Sequence, residues 1–410
     1  MFSAVHSDRS GRLVVAANHE AAMHDGLAPT PLVDPIPLPA GAEVVPLAGR
    51  VALGLDRSGR PHPLGGARWA VGAILPLGYL RVGFPAYVDD ATDAALRPRP
   101  YAAVGADANG ELLVAGVALD AEAPAATSRT AALLTASVSG SLREQPSNRL
   151  FRQLARCARE YRCRAAANAF TGGPDIALPI GAPPNEHPPA LLALHDDADA
   201  SPTEPAAFHP DPEEIAAVAC PALERDGASV AFGRACEGEP LLAVRVIEPA
   251  IALIRTRTAR GKIHLETNGA LPAALKRVCD AGLDSVAIRL VSARPETFDS
   301  YQQPDGFRLT DVRASVAVAL RAGVAVAIRV LVLPGLTDRP REIEALIGLA
   351  DEIPEGGALI LRDLAADPLR AIRHLYSADQ CVGVPRMLQR LRADATHLRI
   401  ASLPQPLVRS

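Results

Sequence analysis

The chain lacks any closely spaced cysteine pair. Its six cysteines (Cys157, Cys163, Cys220, Cys236, Cys279 and Cys381) are scattered over 410 residues with no C-x2-C between them. A disulfide framework is therefore not expected in a chain of this size. Lysine is almost missing: Lys262 and Lys276 are the only two, and arginine supplies the other positive charges. The net charge of −4 gives no electrostatic reason to expect nucleic acid or a membrane surface as a partner. No apolar run reaches the roughly 18 residues that a spanning helix needs. Met1 to Arg12 is mixed and polar rather than a charged-then-apolar leader, so the cytoplasm is the expected compartment. What is present is ordinary globular material, 49% hydrophobic and 21% charged. At roughly 150 residues per domain, that length suggests two to three domains.

Three zones follow one another. Residues 1–145 read as a small β-rich domain. Strand signals run at Val44 to Leu55, Trp69 to Leu75, Tyr101 to Val104 and Leu112 to Leu119, around a Pro-rich stretch from Leu27 to Pro39. Asp56-Arg57-Ser58-Gly59 and Asp107-Ala108-Asn109-Gly110 have hairpin chemistry, with glycine where φ turns positive. Residues 146–210 hold a helix over Ser147 to Phe170, with Leu150, Leu154, Cys157 and Tyr161 on one face. An irregular stretch, Thr171 to Pro210, follows and keeps one strand at Asp175 to Ile180. Stretches this long without structure are functional or disordered.

From residue 211 to 410 strands and helices alternate. Asp211-Pro212-Glu213-Glu214 opens a helix. Strands are expected at Ala228 to Phe232, Ile263 to Leu265, Ser285 to Leu290, Val324 to Leu333 and Ala358 to Leu364. Helices are expected at Leu241 to Thr258 (interrupted by Pro249), Leu271 to Ala281, Thr310 to Ala322, Arg339 to Ala350 and Pro385 to Asp394. A last strand is placed at His397 to Ala401. Such alternation implies βαβ units and a parallel sheet. A closed barrel and an open doubly wound sheet both satisfy it.

In parallel α/β proteins chemistry sits at the carboxyl ends of the strands. Those ends carry Cys236-Glu237-Gly238-Glu239-Pro240, Glu266-Thr267-Asn268-Gly269, Arg289 to Ser292, Pro334-Gly335-Leu336-Thr337-Asp338 and Arg362-Asp363. This series resembles the radical S-adenosylmethionine superfamily. Glu237-Gly238-Glu239-Pro240 is similar to its Gly-Gly-Glu-Pro turn, whose backbone meets the methionine amino group. Thr267-Asn268-Gly269 and Pro334 to Asp338 are similar to two of its later turns. Cys157-x5-Cys163 resembles an element upstream of the barrel in an uncharacterised bacterial branch that also has a β-rich N-terminal domain. The resemblance implies a parallel (β/α)6 partial TIM-type barrel, S-adenosylmethionine as cofactor and a 4Fe–4S cluster. It points to Glu237, Gly238, Glu239, Pro240, Asn268, Arg289, Ser292, Arg329 and Arg362 as cofactor-facing residues.

One departure is decisive for the chemistry. The superfamily's C-x3-C-x2-C supplies three thiolates to the cluster and leaves one iron open. Here the matching stretch is Gly181-Ala182-Pro183-Pro184-Asn185-Glu186-His187-Pro188-Pro189-Ala190-Leu191, without a cysteine. Arg289, Val291 and Arg329 also stand where the branch has small polar or asparagine side chains. Cys157 and Cys163, read on one helix, point about 240° apart, which suits helix packing better than joint ligation. Cys236 is read as a packing residue or a nucleophile. Glu237 and Glu239 are read as an acid/base pair or as a brace for their turn. His187, His195, Asp196, Asp197 and His209 match no metal spacing. Arg234, Arg289, Arg329 and Arg362 on successive strands require acidic partners or an anionic ligand.

Three functions stay open. One is a barrel without a cluster that binds a small anionic or nucleotide ligand, alone or as a subunit for a protein partner. The second is a radical enzyme with unusual cluster ligation. The third is a non-radical acid/base enzyme.

Overall fold

The computed structural model describes residues 2–65, 68–89, 96, 99–120, 131–188, 204–234, 236–365 and 380–403. Strands β1 to β13 lie between Ser3 and Ala118, and eleven of them form one antiparallel sheet. The long members are β2 (Leu13–His24) and β5 (Glu43–Leu55). β1 (Ser3–Ser7) pairs with β2, β7 (Trp69–Ile74) and β11 (Tyr101–Ala106). The sequence reading missed β1 and β2, because their polar and apolar residues do not alternate cleanly. Three turns repeat one device. Asp8, Asp56 and Asp107 each accept, on one carboxylate oxygen, the N–H groups two and four residues on, at 2.8–3.1 Å. These are Asx turns, and a positive-φ glycine closes each. Two were expected; Asp8 to Gly11 is the third.

Helices α1 (Ala131–Glu144), α2 (Arg149–Arg159) and α3 (Arg164–Thr171) follow. The single helix expected over Ser147 to Phe170 is therefore two. Arg162 adopts φ 52°, which ends α2, and the N–H of Cys163 turns back onto the carbonyl of Cys157 at 3.0 Å. The 240° separation of the two cysteines, which assumed a continuous helix, does not hold.

Seven strands then pair in chain order, all parallel: β14 (Asp175–Ala177), β15 (Ser229–Phe232), β16 (Lys262–Thr267), β17 (Ser285–Leu290), β18 (Ala325–Val332), β19 (Ala358–Asp363) and β20 (Arg399–Ala401). The helices between them are α4 (Pro212–Leu223), α5 (Val244–Arg257), α6 (Pro272–Asp280), α7 (Pro295–Gln302), α8 (Leu309–Arg321), α9 (Pro340–Ala350) and α10 (Val384–Asp394). The two edge strands, β14 and β20, share no pairing among the described residues. Pro249 does not interrupt α5: its ring lies on the exposed face, where helix curvature accommodates it.

The period of two along each strand separates two faces. Ile263, Leu265, Val286, Ile288, Val326, Ile328, Leu359 and Leu361 pack into the main core with the helices. Burial of each such side chain contributes roughly 1.5–3 kcal/mol. The other face is small: Ala287, Ala327, Ala358, Ile360 and Ala401 form a cluster of their own. Arg289, Arg329 and Arg362 each stand two residues beyond a member of that cluster. The alanines leave room, and the arginines rise above it at the strands' carboxyl ends.

The β-rich region docks on this same end. Arg81, at the end of β8 (Tyr79–Arg81), is fully buried; its N–H donates to both Asp363 carboxylate oxygens at 3.2 Å, and its guanidinium lies over Phe84. Phe84 packs with Val291, Tyr301, Leu333, Leu336 and Leu364. Asp120 accepts the N–H groups of Ser402 and Leu403 at 2.7 and 3.0 Å. Gly26 lies against Pro334-Gly335 so closely that a Cβ there would stand 1.9 Å from the Pro334 carbonyl oxygen.

Candidate functional site

The turn after β15 is braced by its two carboxylates. Glu237 Oε1 accepts from the N–H groups of Ile180 and Gly181 at 2.6 and 2.7 Å. Its other oxygen is buried without a partner. Burial is the main influence on Glu237 and pushes its carboxyl up to about 7. Glu239 accepts from Leu241 N–H at 3.0 Å, from Asn268 N–H at 2.7 Å and from the Thr267 hydroxyl. Both carboxylates are 1% exposed, so the brace is the role the geometry supports, rather than an acid/base pair open to a substrate.

The segment matching the missing cluster motif lies on this turn. Gly238 N–H donates to the Ala182 carbonyl at 3.0 Å and Glu239 N–H to the Pro183 carbonyl at 2.8 Å. A Cβ on Gly238 would stand 2.1 Å from the Pro183 carbonyl carbon. Only glycine permits this approach of two backbones. Beyond the prolines, Glu186 enters the interior at 3% exposure. Its Oε2 accepts from Asn268 Nδ2 at 2.9 Å and from Gln302 Nε2 at 2.7 Å.

A cavity of about 190 Å³ opens above the alanine face. Glu186, Arg289, Arg329, Arg362, Asp363, Tyr301 and Gln302 supply its polar wall; Val291, Leu331 and Leu364 supply apolar wall. The arginines differ in how they are paired. Arg329 donates to Glu266, which also receives Arg234 at 2.6 Å, and Arg234 bridges on to Asp175 at 2.6 Å. Burial acts to raise Glu266, but the Arg329 and Arg234 guanidinia outweigh it and hold the carboxyl at about 2. Arg329 itself is lowered to about 10, by burial first and then by crowding from Arg362, Arg289 and Arg234. Arg289 stands 3.6 Å from both Glu186 and Glu239, and its buried Nε and Nη2 make no hydrogen bond. Arg362 donates to the Ser402 carbonyl at 3.0 Å. The wall thus carries three guanidinia against the carboxyls of Glu186 and Asp363. Asp363 is pushed up by burial, against the pull of Arg81.

The cofactor-facing residues expected from sequence therefore separate. Arg289, Arg329 and Arg362 line the cavity. Asn268 orients Glu186. Glu237, Gly238, Glu239 and Pro240 form the braced turn behind it. Ser292 lies off the cavity, where its hydroxyl donates to Glu342 and accepts from Arg294 N–H. His187 is held by its backbone to Gln302, and His209 Nδ1 lies 2.7 Å from the Ile180 carbonyl. His195, Asp196, Asp197 and Pro189 to Leu191 fall outside the described residues. Glu186, Tyr301 and Gln302 were missed by the sequence reading. The last two belong to α7, which Pro295 and Glu296 at its first turn would have signalled.

The residues present do not fit an iron–sulfur cluster. No thiol lies in 181–188, and among the described residues no group of three or more His, Cys, Asp or Glu is placed to hold a metal ion. Burial raises the thiol of Cys157 to about 11, and that of Cys236 is pushed up by the same cause. They fit S-adenosylmethionine poorly too, because the turn's amides are occupied by the chain's own carbonyls.

No family model matches the chain, and no curated protein matches it. Among solved structures it is similar to anSMEcpe with bound AdoMet (16% identity, 46% of this chain and 52% of that one, TM-score 0.37). It is also similar to a radical SAM methyltransferase from Sphaerobacter thermophilus (14%, 48% and 58%, 0.35). A third is the FeFe-hydrogenase maturase HydG from Carboxydothermus hydrogenoformans (15%, 65% and 65%, 0.39). The matched regions span between half and two thirds of those proteins' own length. Likenesses at these TM-scores assign neither a fold nor an activity. Among the described residues no helix is long and apolar enough to cross a membrane.

Proposed function

We propose that this chain is a radical-S-adenosylmethionine-like partial barrel without a cluster, and that it binds a small anion at the carboxyl ends of its strands. Arg289 carries the proposal. It stands half-buried in the cavity wall, its two acidic neighbours Glu186 and Glu239 are 3.6 Å away, and its Nε and Nη2 make no hydrogen bond. Guanidinium N–H groups withdrawn from water without a hydrogen bond are costly unless an anion completes them. Its planar fork suits a carboxylate or a phosphate. Arg362, held by a carbonyl alone among the described residues, stands ready as a second contact. The cavity's 190 Å³ falls below the roughly 300–1,000 Å³ of drug-sized ligand pockets, which favours a small carboxylate or phosphate over a nucleotide.

The test is calorimetric titration with inorganic phosphate, with succinate and with S-adenosylmethionine, on wild type and on Arg289→Gln. Binding of phosphate or succinate, weakened roughly 10- to 100-fold in the variant, is the expected result, since one charge-assisted hydrogen bond is worth about 1.5–3 kcal/mol. Equal affinity in both proteins, or binding of S-adenosylmethionine alone, overturns it. On the same preparation, anaerobic reconstitution with iron and sulfide is expected to leave iron far below stoichiometric. Four irons per chain would return the protein to radical chemistry.

A further inference from the structure

The break between α2 and α3 has brought together two cysteines that a continuous helix would hold apart. Cys157 lies in the last turns of α2 and Cys163 is the residue that precedes α3. The left-handed residue Arg162 reverses the chain, and Cys163 N–H donates to the Cys157 carbonyl at 3.0 Å. With bonds of standard length, that contact limits the separation of the two Cα atoms to about 7 Å. Disulfides span roughly 4.4–6.8 Å between Cα atoms. Both residues are half-buried, and no bond joins their sulfurs in this structure. The Cys163 thiol is close enough to oppose ionisation of Cys157, after burial, which is the larger cause. The two differ in surroundings. Cys157 packs on the core and receives Gln153 Nε2 at 3.5 Å. Cys163, which also packs against the core, is the residue that caps the start of α3.

We propose that Cys157 and Cys163 are a dithiol switch that closes reversibly to a disulfide by exchange with a small-molecule disulfide. Cys163 thiolate attacks one sulfur of RS–SR, and RS⁻ leaves and takes up a proton. Cys157 then loses its proton to water and attacks the Cys163 sulfur, which expels the second RS⁻. Two protein thiols are oxidised, one disulfide reagent is reduced to two thiols, and atoms and electrons balance. Closing the bond staples the α2–α3 corner. Cys236, beside the braced turn, is near enough to both thiols for them to oppose its ionisation, so it is the competing partner.

The experiment incubates the full-length protein in glutathione buffers of graded oxidation, blocks free thiols with N-ethylmaleimide in acid and maps tryptic peptides by mass spectrometry. Cleavage at Arg159 or Arg162 separates the two cysteines, so their disulfide appears as a linked peptide pair. The expected outcome is that pair, formed in oxidising buffer, lost on reduction and retained in Cys236→Ser. In Cys163→Ser, Cys157 is expected to stay largely alkylated, because the attacking thiol is gone. The proposal is overturned if both thiols remain alkylated in the most oxidising buffer, or if either links to Cys236 instead. The wild-type map decides without any variant having to fold.

Discussion

Glu237 is a carboxyl with two good hydrogen bonds and an unsatisfied second oxygen, and burial dominates its behaviour. Burial holds its carboxyl at about 7 in the folded protein, above the ordinary value near 4.5 of the unfolded chain. The folded protein therefore holds a proton that the unfolded chain releases. Stability falls as pH rises through the window between those two values and levels off above it. Glu237→Gln keeps one acceptor for Ile180 and Gly181 and removes the titration. Urea unfolding at pH 5 and pH 8 is expected to show the variant gaining on wild type by on the order of 1–3 kcal/mol between the two. A constant difference would contradict the raised pKa. Glu266 behaves oppositely. Its carboxyl is held at about 2 by two arginines, so the stability it contributes is present above the unfolded value and is lost only as pH falls toward 2.

At the scale of elements, segment 180–186 is held against the turn after β15. The contact is backbone on backbone, and Gly238 makes it possible. Gly238→Ala is expected to cost about 1–3 kcal/mol in denaturant unfolding through overpacking. It should also raise hydrogen exchange at the amides of Ile180 and Gly181. Gly348→Ala, in α9 with nothing within 4 Å of the added methyl, is the matched control. It should be neutral or stabilising by up to about 1 kcal/mol. If both variants behave alike, the segment is not held by this contact.

For the whole molecule, the β-rich region and the parallel sheet are joined by Arg81 with Asp363, Asp120 with Ser402 and the meeting of Gly26 with Pro334-Gly335. Phe84 from the first region shares a cluster with Tyr301 and Leu364 on the cavity wall, so docking shapes the proposed anion site. Gly26 has φ 99° and no space for a methyl group. Gly26→Ala is expected to loosen the docking, seen as faster hydrogen exchange in residues 24–28 and 333–338 with the sheet core unchanged. A global loss of protection instead would mean that the two regions unfold as one unit.

The sequence by itself determined the succession of strands and helices from residue 211 onward except α7, because outward positions such as Val286, Ile288, Val326 and Ile328 carry large apolar side chains at the strand period. It also determined two of the three Asx turns, the cysteine-free stretch 181–188 and the rank of arginines on successive strands. Each of these is written in residues that are neighbours along the chain. Only the tertiary structure decided which arginine has its acids near but not hydrogen-bonded. Glu266, Asp175, Glu186 and Asp363 come from four different strands and loops, and pairing depends on distances that spacing does not encode. It likewise decided that Glu186 turns inward, that Ser292 turns away to Glu342 and that Cys157 meets Cys163. A single positive φ at Arg162 reverses the chain between those two thiols, and arginine is not a residue whose sequence context announces one.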